Sequence, residues 1–130
     1  LKWFVEENNT PEAIDVKKAH LRGEYSLVIP DLAIYEVANA LRYNKEFSAD
    51  EVNSCCANLC GLNMNIVTPV PEIINNSVEL AYNTDITFYD AFYIALADKL
   101  GQQFLTADEK LYRKTRHLSH ILLLSKLNAN

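Results

Sequence analysis

Three carboxylates stand where an α/β sheet presents its chemistry. Ligands of open α/β sheets bind beyond the C-terminal ends of the strands, so polar residues just after a strand matter most. Glu36 lies one turn into the helix expected after the first readable strand. Asp90 sits in Thr87-Phe88-Tyr89-Asp90, at the start of the clearest helix. Asp108 follows Phe104-Leu105-Thr106-Ala107, where a strand gives way to a helix. Each acid also has a plain structural reading. Glu36 can be a helix-flank acid paired with a cation. Asp90 can complete a variant capping box with Thr87, and Asp108 can be an N-cap. Taken together they suggest more. Mg²⁺ and Mn²⁺ take oxygen ligands and keep several waters. Carboxylates from separate βα units can hold one or two such ions, which activate water and steady an in-line phosphodiester displacement.

Lys110, Arg113, Lys114 and Arg116 follow Asp108 and could contact phosphates; a solvated helix face explains them equally well. His117 and His120 are three apart, but no further ligand lies at zinc-like spacing. Cys56 and Cys60 share a helix face as i, i+4, which favours core packing. There is no GxSxG motif. Gly23, Gly61 and Gly101 are the only glycines and form no phosphate loop, which argues against dinucleotide and P-loop nucleotide binding.

Positioning these residues requires an alternation of helices and strands. Thr10-Pro11-Glu12 predicts a helix start, with Thr10 as N-cap, running to about Arg22. Tyr25 to Ile29 reads as a strand. Asp31 can cap a helix over about Leu32 to Lys45. There Glu36 shares a face with Leu32, Asn39, Ala40 and Tyr43, opposite Ile34, Val37, Ala38 and Leu41. That helix is apolar nearly all round and is expected to be buried. Ser48-Ala49-Asp50-Glu51 is a capping box opening a helix to about Gly61. Asn65 to Thr68 is a strand, Pro71 to Tyr82 a helix, and Thr87 to Leu100 another. Gln103 to Thr106, Asp108 to Thr115 and His120 to Leu124 complete the order as strand, helix and strand. The alternation predicts an α/β fold with a parallel sheet covered by helices on both faces.

Composition narrows the classes. The chain has 130 residues, 49% hydrophobic and 22% charged, with a net charge of −5. That suits a single domain over residues 1–130 with its own core. A generally basic surface is absent, so a nucleic-acid partner would need a local patch or bound cations. No apolar run approaches the roughly 20 residues needed to span a bilayer. Cys55, Cys56 and Cys60 are clustered and odd in number, so a reducing, cytoplasmic setting is expected.

Several stretches resemble the PIN-domain nucleases. Pro30-Asp31-Leu32-Ala33-Ile34-Tyr35-Glu36-Val37-Ala38-Asn39-Ala40-Leu41 looks like their second acidic motif. Thr87-Phe88-Tyr89-Asp90-Ala91-Phe92-Tyr93-Ile94-Ala95-Leu96-Ala97 is similar to the third, and Phe104-Leu105-Thr106-Ala107-Asp108-Glu109-Lys110-Leu111 to the stretch supplying the fourth acid. Leu1-Lys2-Trp3-Phe4 resembles the tail of the first motif. In size the chain is nearest the VapC-type toxins of toxin–antitoxin pairs. The resemblance implies a metal-dependent endoribonuclease. Glu36, Asp90 and Asp108 would be Mg²⁺ or Mn²⁺ ligands, and Asn39 and Thr106 would support them. It further implies RNA as substrate, a cognate antitoxin as inhibitor, and a homodimer.

The family's first acid is an Asp ending a central strand that would lie before Leu1. A further segment of roughly 5–12 residues is therefore expected upstream. Without that strand, the sheet should fall into two halves with unpaired edges. Two other readings stand beside the nuclease: a non-catalytic module on the same fold, and another phosphotransfer enzyme built on acids, such as a phosphatase.

Overall fold

Parallel strands cannot be joined by a tight turn, so each parallel pair needs a crossover, usually a helix. The computed structural model, which describes residues 1–127, shows how this chain meets that requirement. The elements are α1 (Thr10–Leu21), β1 (Val28–Pro30), α2 (Leu32–Tyr43), α3 (Ala49–Cys60), β2 (Asn65–Val67), α4 (Pro71–Thr84), α5 (Phe88–Lys99), β3 (Phe104–Thr106), α6 (Glu109–Thr115) and β4 (Ile121–Leu123). A 3₁₀ turn, Leu124–Lys126, follows. Their order is the one the sequence predicts. Leu1–Thr68 forms one compact unit, and the chain from Pro69 forms another.

One continuous sheet is not what the strands make. β1 pairs in parallel with β2, placing Val28 opposite Asn65 and Pro30 opposite Val67. β3 pairs in parallel with β4, placing Phe104 opposite Ile121 and Thr106 opposite Leu123. Among the described residues each strand is therefore laddered on one edge only. Among the described residues no further strand lies beside either pair. Pro30 closes β1, where its missing N–H is harmless. Asp31 continues the ladder instead, its N–H donating to Val67 O at 3.0 Å.

The first unit is held by small residues and one imidazole. Ala13, Val16 and Ala19 bury one face of α1. The Trp3 indole donates to Ala13 O at 2.7 Å and ties the N-terminal stretch to that helix. Thr10 is the first helical residue, not the N-cap. That place belongs to Asn9, which has a left-handed backbone (φ 63°) and no side-chain capping bond. The Thr10 hydroxyl turns back to accept the Glu7 N–H at 2.8 Å. His20 uses both ring nitrogens. Its Nδ1 accepts the Leu27 N–H at 3.1 Å, so Nε2 carries the proton and donates to Leu62 O at 2.6 Å. One ring thus joins α1, the approach to β1 and the approach to β2.

Helix α2 corrects an expectation. Leu41 is its one buried residue. Tyr35, Glu36, Asn39, Ala40, Arg42 and Tyr43 are exposed. The reason is geometric: packing against β1 and α3 covers only the stripe that includes Leu41. The predicted faces are nevertheless correct, since Glu36, Asn39, Ala40 and Tyr43 share the exposed side. In α3 the capping box forms as read: Glu51 N–H donates to Ser48 Oγ, and Ser48 N–H donates to Glu51 Oε2 at 2.7 Å. Cys60 is exposed and Cys56 only partly covered, so this pair is not core. Leu59 takes the buried position of that helix.

In the second unit the packing centres on α5. Ala91, Phe92, Ile94, Ala95, Leu96 and Ala97 are all buried. Ile94 joins Leu111 and Ile121 in a cluster backed by Leu80, Ile86, Phe104, Tyr112 and Leu118. Each large apolar side chain so buried contributes roughly 1.5–3 kcal/mol. The buried hydroxyls of Ser77 and Thr115 donate to the carbonyls four residues back, of Ile73 and Leu111, so neither is left unsatisfied.

His20→Ala should destabilise the first unit by about 1–2 kcal/mol, because it strands a partly covered N–H and a carbonyl. Chemical denaturation measures the loss, and an unchanged midpoint would contradict the bridge.

Candidate functional site

The end of the second unit that carries Asp90 and Asp108 is assembled by two helix caps. Thr87 is the N-cap of α5, and its Oγ1 accepts the Asp90 N–H at 3.1 Å. Asp108 is the N-cap of α6, and its Oδ1 accepts the Leu111 N–H at 2.9 Å. Asp108 is thus an N-cap as read, and of the Thr87–Asp90 box the Thr87 half is formed. A carboxylate has two oxygens and about four acceptor positions, so one capping bond leaves capacity for a ligand. Thr106, at the end of β3, is buried, and its Oγ1 accepts the Asp108 N–H at 3.0 Å. That bond holds the Asp108 backbone where strand becomes helix.

Asp90 and Asp108 are brought together electrostatically. The Asp90 carboxyl is pushed above the ordinary aspartate range, first by burial. A hydrogen bond from Thr87 opposes the shift, and the nearby Asp108 charge adds to it. Like charges facing each other disfavour double ionisation, and a cation between them removes that penalty. Two carboxylates, one of them partly desolvated, are the donor type that suits a hard divalent cation. Among the described residues, no group of three His, Cys, Asp or Glu side chains could hold a metal ion. The pair is what the second unit offers. Glu36 and Asn39 belong to the first unit, where both are exposed on α2.

The basic residues after Asp108 divide into two kinds. Lys114, read from sequence as a phosphate contact, is committed elsewhere. Its Nζ donates to Asp85 O at 2.6 Å and lies 3.5 Å from Asp85 Oδ2. Asp85 ends α4 in a left-handed conformation (φ 53°), its N–H donating to Ala81 O. The clasp joins the turn before α5 to α6, the two elements that carry Asp90 and Asp108. Nothing in the sequence spacing pointed to Lys114 as the partner of Asp85. Arg113 Nε donates to the Glu109 carbonyl one turn back. Lys110 and Arg116 are exposed on α6 and at its end. His117 is exposed, and His120 Nε2 makes a 3.3 Å contact with Ile94 O; neither joins a metal cluster.

A family model described as the PIN domain matches residues 1–117. The chain belongs to the PIN-domain family. Among relatives of this PIN domain, Ribonuclease VapC3 of Pyrobaculum aerophilum is 35% identical over 88 residues, which are 65% of this chain and 67% of that protein. Ribonuclease VapC1 of Mycobacterium tuberculosis is 35% identical over 85 residues, 63% of this chain and 62% of that one. The crystal structure of PAE2754 from Pyrobaculum aerophilum has the same fold, with a TM-score of 0.66 over 90% of this chain and 83% of that chain, at 23% identity. Among the described residues, no helix is long and apolar enough to cross a membrane.

The raised Asp90 carboxyl sets a pH dependence. Its native state binds the proton more tightly than its unfolded state. Stability therefore falls as pH rises from the ordinary aspartate value through the raised one. Asp90→Asn should melt at a higher temperature than the parent protein at neutral pH. The difference should close when the buffer is taken below the ordinary aspartate range. Melting curves at the two pH values test this, and a neutral-pH melt below the parent's would overturn it.

Proposed function

We propose that this PIN domain is a metal-dependent endoribonuclease, acting as the toxin of a toxin–antitoxin pair. The observation that carries the reading is the Asp90–Asp108 pair, in which burial and like charge leave Asp90 costly to ionise without a cation. The names of the VapC relatives supply the substrate class, RNA. Asp90 and Asp108 would hold Mg²⁺ or Mn²⁺, with Glu36 added by the family resemblance. When bound, the ion supplies an activated water and neutralises charge on the scissile phosphate. The chain's own residues do the rest. Thr106 fixes the Asp108 backbone, Thr87 fixes the start of α5, and Asn39 stands one turn from Glu36 on the same exposed face. Lys110, Arg113 and Arg116 would draw in the RNA backbone. By the same resemblance the protein works as a homodimer and is silenced by a cognate antitoxin protein, and its clustered free cysteines suit the reducing cytoplasm.

A second reading has one observation in its favour. No three-acid cluster forms among the described residues, which suits a non-catalytic interaction module on this fold. Calorimetric titration with Mn²⁺ separates the two, since the module binds none.

For the nuclease, single-stranded RNA should be cut in Mg²⁺ or Mn²⁺. EDTA or Asp90→Asn should abolish the cut; cleavage that survives both would sink the assignment. Lys110→Gln and Arg116→Gln should each weaken RNA binding across all sequences and flatten its salt dependence by about one counterion. Lys114→Gln should instead lower kcat with RNA affinity retained, because Lys114 braces the two acid-bearing elements. Binding and turnover measured side by side distinguish these effects.

A further inference from the structure

Two large aromatic side chains are exposed immediately before Asp90. Phe88 and Tyr89 are 39% and 58% accessible, while from Ala91 to Ala97 every residue of α5 but Tyr93 is buried. The two rings are not loose. Phe88 meets Tyr89 edge to face at 6.4 Å between centroids, with 74° between planes. On its other side Phe88 packs on Phe92 at 6.1 Å, and Phe92 is 3% exposed. Three rings thus lead from the core to the surface. Phe92 is fixed by packing, Phe88 is fixed by Phe92, and Tyr89 is outermost. The next residue along the helix is one of the two paired acids.

An exposed ring held in place beside a charged site offers a flat π surface. Nucleobases stack on such surfaces whatever their identity. The surroundings favour a base over an apolar protein surface. Asp85, Thr87 and Asp90 flank the two rings along the chain, with the partly covered Ile86 between the first two. Lys110 on the helix that Asp108 caps, and Arg116 at its C-terminal end, are exposed cations available to RNA phosphates.

We infer that Tyr89, backed by Phe88, is a stacking platform for an unpaired base next to the phosphodiester bond held at Asp90 and Asp108. The inference rests on the ribonuclease reading above and deepens it. Paired bases hide their faces, so the platform selects single-stranded RNA. Tyr89 acts on substrate binding and not on the reacting atoms.

The test uses Tyr89→Leu, Tyr89→Phe and Phe88→Leu, which keep apolar volume and so protect the fold. Binding of a short fluorescent single-stranded oligoribonucleotide is read by anisotropy in metal-free buffer, and cleavage is read separately in Mn²⁺. Tyr89→Leu should weaken binding by about tenfold and raise KM with kcat little changed. Tyr89→Phe keeps the ring and should match the parent protein, and Phe88→Leu should fall between. A single abasic position at the stacked site should cost the parent protein the same factor and cost Tyr89→Leu nothing further. Parent-like binding by Tyr89→Leu overturns the platform, as does equal weakening by Tyr89→Phe. Loss of a protein inhibitor's grip with RNA binding intact would assign the rings to a protein partner and also overturn it. A parent protein that neither binds nor cuts RNA defeats the ribonuclease reading itself.

Discussion

Helix α5 can be stable only inside protein. From Ala91 to Ala97 every residue but Tyr93 is buried, so no polar stripe is left to face water. The rest of the second unit follows from that demand. α4 lies along α5, β3 packs against it, and the Ile94–Leu111–Ile121 cluster ties it to α6 and β4. A helix packed this tightly cannot shift without opening its core, because interiors are close-packed and respond to small displacements. Its first turn therefore makes a rigid mount. Asp90 sits on that turn, partly out of water and near a second carboxylate. Packing thus fixes where the charge stands, and the charge is costly there unless something positive comes to it.

Support around the pair is assembled from small polar bonds. Thr87 holds Asp90 by its amide, and Thr106 holds Asp108 by its amide. The Asp108 carboxylate in turn caps α6. Lys114 reaches across 29 positions of sequence to the carbonyl of Asp85. No bond in this set is strong by itself in a partly solvated setting. Together they join strand end, helix start and turn at one place, which is how a fold keeps two like charges near each other.

How much of this could be read from the chain depends on the distance over which each signal acts. Helix starts with local chemistry were legible: the Ser48–Glu51 box, the Thr87 cap and the Asp108 cap form as their residue types require. The order of elements followed from Pro, Gly and periodicity. Thr10 misled because a hydroxyl beside proline also serves a turn that folds back, and the structure uses it so. Helix α2 misled because apolar composition reports what could be buried, whereas burial depends on how many neighbours arrive. Asp108 follows a strand as read, whereas Asp90 opens a helix that follows another helix, α4, and not a strand. The electrostatic cost of setting the two acids near each other was not legible, because that depends on distance and desolvation. Lys114 was unreadable for a similar reason: an ammonium among other basic residues carries no mark of the carbonyl it will meet.

The His20 bridge has a consequence for how the first unit can vary. Its ring touches Leu62, 42 positions away, and between them lie β1, α2 and α3. Bringing those ends together costs chain entropy, but that cost grows only logarithmically with the length enclosed. Doubling the enclosed chain would add about 0.6 kcal/mol. The turn between α2 and α3, from Asn44 to Ser48, lies within that closed loop and is largely exposed. Insertions there should be cheap, while the same insertion between α1 and β1 would pull Leu27 away from the imidazole. The first unit thus has one connection free to drift in length and another held to its present span.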